Sequence, residues 1–126
     1  MSIGYIATDL ELESVENLSL IVEALGEEVV VLHYGAVGRG RYRASFEVAD
    51  LTGDVDATIS RFCSLVESLS EETRTVWNRC SRRVFDIAFE SGAQPLSFHS
   101  ELRADTLKRI AKLEASLVIT LYPIDG

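Results

Sequence analysis

Residues 55–69 constrain the fold more than any other stretch of the chain. Val55, Ile59, Phe62, Val66 and Leu69 recur at spacings of three and four, so on an α-helix they form one apolar stripe with a polar opposite face. A helix of this kind needs a second layer to cover its stripe. Residues 41–48 predict that layer: Tyr42, Ala44, Phe46 and Val48 alternate with Arg41, Arg43, Ser45 and Glu47, as in a strand with one buried and one solvated face.

The remaining segments extend the same pattern. Residues 2–12 read as a strand, and Ser14 offers an N-cap for a helix carrying Leu18, Ile21, Val22 and Leu25 and ending at Gly26. Residues 28–34 are rich in Val and join the strand at 41–48 through the glycine-bearing turn GAVGRG, which predicts a hairpin. Ser68 with Glu71 marks a second helix start and a short helix at 71–80 presenting Val76 and Trp77. Residues 82–90 return as a strand, SGAQP is a loop, and 96–102 are expected to be extended. A helix at 104–114 and an apolar strand at 116–122 close the chain. The order contains a βαββαβ ferredoxin-like core with an added αβ unit. The expected fold is therefore an α+β two-layer sandwich, a single domain over residues 1–126, with helices on one face of a mostly antiparallel sheet. The uncovered face of such a sheet commonly becomes a dimer or partner surface.

Charge narrows the function. With 20 acidic and 12 basic residues the formal charge is −8, which repels a phosphate backbone, so neither nucleic acid nor an anionic membrane is an expected partner. Between positions 1 and 38 stand Asp9, Glu11, Glu13, Glu16, Glu23, Glu27 and Glu28 without a single Lys or Arg. The plain reading is a solvated acidic helix face; the functional one is a surface that steers a basic partner, with Glu11, Glu13 and Glu16 as the candidate contacts. The start of the chain lacks the basic and apolar regions of a signal peptide, and 18–31 is interrupted by three glutamates, so a soluble cytoplasmic protein is expected.

The segments FDIAFESGAQP and ADTLKRIAKLEASLVITLYP resemble a bacterial family of small proteins, domain of unknown function 4279. The likeness rests on a strand, a variable loop, a helix of the form LKRIAKL, a small residue and a final strand ending in tyrosine, and it covers about half the chain. It implies structural roles: Leu107, Ile110 and Leu113 in the core, Ala115 at the tight connection, Tyr122 at the strand end. Glu114 departs from the pattern, since glycine is the commoner helix stop there. The family carries no assigned chemistry, so the resemblance implies no catalytic residue.

Few residue sets suggest reactivity. Cys63, Cys80, His33 and His99 lie on four different elements, so the spacing expects no metal site and no cofactor. Cys80, near Arg79 and Arg82, is either an activated thiol or a core residue beside Trp77. Asp86 interrupts an apolar strand beside Arg82 and Arg83: facing the helices it requires a partner, facing away it belongs to the polar side. Arg39, Arg41 and Arg43 at the hairpin are placed to clamp a carboxylate or phosphate, to offset the acidic half, or to dock a second subunit. The leading expectation is a non-enzymatic module binding one specific protein partner, sharpest as an immunity protein that neutralises a basic toxin. The alternative is a regulatory domain that binds a small anion through the arginine hairpin. A homodimer is compatible with either.

Overall fold

Along residues 4–14 the side chains alternate until Leu10, Leu12 and Ser14 are wholly buried, and this strand organises the sheet. The computed structural model describes residues 3–49, 53–94 and 97–123. The elements are β1 (Gly4–Ser14), α1 (Ser19–Leu25), a 3₁₀ turn (Gly26–Glu28), β2 (Val29–Ala36), β3 (Tyr42–Val48), α2 (Val55–Glu67), α3 (Glu71–Asn78), β4 (Arg82–Glu90), α4 (Ala104–Lys112) and β5 (Ser116–Tyr122). The five strands form one open sheet in the order β2-β3-β1-β4-β5. Neighbours are antiparallel except β4 and β5, which α4 joins as a parallel crossover. The fold is α+β.

Register explains why the helices share one face. Leu10 stands opposite both Phe46 and Phe85, and Thr8 opposite Ile87, so these side chains point to the same side. There they join Leu18, Ile21 and Leu25 of the α1 segment, Ile59, Phe62 and Val66 of α2, Val76 and Trp77 of α3, and Ile110 of α4 in one buried cluster. Phe62 and Phe85 pack with ring centroids 5.7 Å apart. The stripe expected on residues 55–69 is the side of α2 that meets β1 and β3.

Several local expectations are corrected. Ser14 does not cap α1: it is the last residue of β1, and its hydroxyl accepts from the Glu16 amide at 3.1 Å. The helix begins only at Ser19, whose amide donates to the Asn17 side chain at 2.8 Å. The cap of α3 is Ser70, accepting from the Thr73 amide, whereas Ser68 closes α2. Leu96 lies outside the described residues, and 97–102 form no strand. Glu114 does take the left-handed conformation that glycine usually supplies, at φ 57°. Among the described residues no helix is long and apolar enough to cross a membrane.

Candidate interaction surface

Because Leu10 and Leu12 point into the core, Asp9, Glu11 and Glu13 must line the other side of β1, the face that no helix among the described residues covers. Of the seven acidic residues expected on a helix face, these three therefore sit on the sheet, and only Glu23 lies on α1. Asp9 lies opposite Asp86 of β4, and Glu47 of β3 falls on the same side one step beyond the Leu10–Phe46 pair. Three adjacent strands thus bring three carboxylates into one row, with Glu11 beside it. Like charges placed across neighbouring strands repel. Partial burial, then Glu47, Glu11 and Asp86, push the Asp9 carboxyl from 3.8 up to about 6. Asp86 is held by the Thr120 hydroxyl, which donates at 2.6 Å from β5. Among the described residues, none of Asp9, Glu11, Glu47 and Asp86 enters an ion pair.

The three glutamates expected to act together are separated by their partners. Glu13 takes Arg43 at 2.7 Å, and Glu16, beyond the strand end, takes Arg79 at 3.1 Å. Glu11 alone remains in the unpaired group. Asp9 and Glu47, which sequence reasoning did not join to the site, belong to it. The signal available was alternation: DLELES and SFEV each put their carboxylates on the side away from the leucines and phenylalanine.

The arginine hairpin is likewise divided. β3 begins at Tyr42, so Arg39 and Arg41 belong to the connecting turn, Arg39 with φ 51°, while Arg43 lies on the sheet and is engaged by Glu13. The three do not project from one strand face. Asp86 faces away from the helices, and Arg83, three residues earlier, points toward them.

The remaining candidates lie apart from one another. Cys80 is buried and its thiol donates to the Val76 carbonyl; burial pushes it up to about 11, against the lowering effect of Arg83, so the thiolate is disfavoured. Cys63, buried in α2, is pushed up to about 11 by the same cause. His33 is exposed on β2. His99 Nε2 hydrogen-bonds the Ser97 hydroxyl at 2.8 Å and borders a cavity of about 240 Å³ with Tyr5, Asp54 and Glu101. Asp54 is committed there to the N-terminus of α2, accepting from the Ala57 amide. Neither Cys80 nor Asp86 is among the described residues that line the cavity beside His99. No family model, curated protein or solved structure matches the chain.

The acidic row makes stability depend on pH with a definite sign. In the unfolded chain Asp9 releases its proton near 3.8, while in the fold it keeps it to about 6. The folded state thus binds more protons across that window, and stability falls as pH rises through it, with the full cost present above 6. Asp9→Asn is expected to remove this slope, so denaturant midpoints measured from pH 4 to 7 should diverge, the variant gaining on the wild type toward pH 7. Parallel profiles would contradict the assignment.

Proposed function

We propose that the chain is a non-enzymatic interaction module whose open sheet face binds one specific basic protein, in the manner of an immunity protein neutralising a toxin. The observation carrying this reading is the group formed by Asp9, Glu11, Glu47 and Asp86, which has no ion-pairing cation among the described residues although twelve basic residues are present in the chain. Carboxylates crowded on a rigid sheet cost the free protein stability, and a partner's Lys or Arg side chains recover that cost on docking. The small-anion alternative is less well supported, because Glu13 occupies Arg43 and leaves only Arg39 and Arg41 at the turn. We also read the strands β4-β1-β3-β2 as a ferredoxin-like βαββαβ core extended by α4 and β5, and we retain the likeness to domain of unknown function 4279 as a proposal on the same footing.

The test is paired affinity capture from native lysate with the wild type and a Glu11→Lys, Glu47→Lys variant, each checked for folding by circular dichroism. One stoichiometric basic partner should appear with the wild type, be lost at high salt and be absent with the variant. Its purified complex should tighten as pH rises from 5 to 7, because docking favours the ionised Asp9. Identical captures by the two proteins would overturn the proposal.

A further inference from the structure

The last strand of the sheet presents an edge whose backbone and side chains are both unfinished. The Tyr122 carbonyl accepts from the Ser91 amide at 3.0 Å and so points inward, toward the segment that continues β4. In a strand the N–H and C=O of one residue point to the same side and alternate from residue to residue. Thr120 and Val118 therefore face β4 with Tyr122, and the backbone groups of Leu117, Ile119 and Leu121 face outward, where no further strand lies among the described residues. These are also the three aliphatic side chains that the register places on the helix side of the sheet, opposite Phe85, Ile87 and Phe89. They remain 37%, 70% and 60% exposed.

The geometry points to a second copy of this chain as the occupant of that edge, pairing β5 with β5 antiparallel across a two-fold axis at Ile119. The outward-facing positions read Leu, Ile, Leu, the same in both directions. Antiparallel pairing centred on Ile119 sets Ile119 against itself and Leu117 against Leu121 of the other copy, so each of these residues exchanges both of its free backbone bonds with an aliphatic counterpart. Charge permits it where most of this acidic surface does not. Ser116–Tyr122 contains no charged residue, and residues 101–122 hold four basic and three acidic side chains within a chain of net −8. Natural sheet edges are usually blunted by a lysine, a proline or a bulge. β5 has none of these before Pro123 and pairs with β4 in unbroken register. The opposite edge, β2, is interrupted between Val31 and His33, which spoils it as a template.

These observations are independent of the acidic face, which lies on the other side of the sheet. The test combines sedimentation velocity across a concentration series with residue-resolved amide exchange. The wild type should pass from monomer to dimer in the micromolar range, and the amides of Leu117, Ile119 and Leu121 should become protected as it does, whereas those of Val118 and Thr120 are protected throughout. Ile119→Lys, at a side chain mostly exposed in the monomer, should keep the native circular dichroism and raise the dimer dissociation constant by about a hundredfold or more, since the two lysines would meet at the axis. Val30→Lys on β2 should dimerise like the wild type. A monomer at every concentration, a dimer that survives Ile119→Lys or is broken by Val30→Lys, or unchanged exchange at 117, 119 and 121 on dimerisation would each overturn the proposal.

Discussion

Arg83→Ala is expected to cost about 3 kcal/mol, because it leaves carbonyls at two helix ends without their donor. The Arg83 Nη1 donates to the carbonyls of Trp77, Asn78 and Cys80, at distances between 2.7 and 3.3 Å, where α3 ends. Its Nε donates at 3.0 Å to the carbonyl of Glu114, just past the end of α4, and Nη2 lies 3.5 Å from the Glu114 carboxylate. A positive charge at the C-terminal ends of two helices is favoured by both dipoles. Contact with Glu114 has a second effect, since that residue sits at φ 57°, a conformation strained for any residue with a Cβ. The side chain is only 12% exposed, so water does not readily replace it. Thermal unfolding should fall by about 10 °C at this chain length. Arg83→Lys should recover less than half of the loss, because one ammonium group does not span the two helix ends as the planar guanidinium does. A shift within about 0.5 kcal/mol of wild type, the range of an ordinary surface substitution, would show the network to be dispensable.

Trp77→Ala is expected to be larger still, about 4 kcal/mol, within the range for deleting a buried aromatic residue. Trp77 is fully buried and is the largest side chain in the core. Its indole Nε1 donates at 3.1 Å to the Leu113 carbonyl, so one residue both fills the space under α3 and satisfies the end of α4. Trp77→Phe separates the two contributions: it keeps most of the packing and should cost about 1–3 kcal/mol, the loss from leaving a buried acceptor unpaired. Urea titrations followed by far-ultraviolet circular dichroism measure both, with the midpoint falling and the slope unchanged. Near-equal stability of the Phe variant and the wild type would mean that water reaches the Leu113 carbonyl.

The two side chains were not equally legible. Trp77 showed in the sequence as a side chain presented with Val76 on the short helix, although only the fold decides that it is buried. Arg83 did not: a strand arginine next to Asp86 reads as part of the polar side or as the partner of that aspartate. The two residues face opposite sides of the sheet, and the carbonyls that Arg83 meets come from residues up to 31 positions away. The acidic row divides in the same way. Alternation in DLELES puts Asp9, Glu11 and Glu13 on one side of β1, but only strand order brings Glu47 and Asp86 to them, and only the fold takes Glu13 out of the group by supplying Arg43.

Local periodicity, then, sufficed for the order of the nine helices and strands and for the core side of α2 and β3, because spacings of two and of three or four residues are set by backbone geometry within a single element, whereas in α4 the expected core residue Leu107 is 45% exposed and Thr106 is buried in its place. It also sufficed for the net charge and the absence of charge along β5. What only the tertiary structure decided is which elements become neighbours: that β1 is central, that β4 takes β5 as its parallel partner and leaves an apolar edge, and that Arg83 bridges two helix ends. These depend on pairings between residues far apart in the chain, whose free energy comes from burial and hydrogen bonds formed together, and no local spacing encodes them.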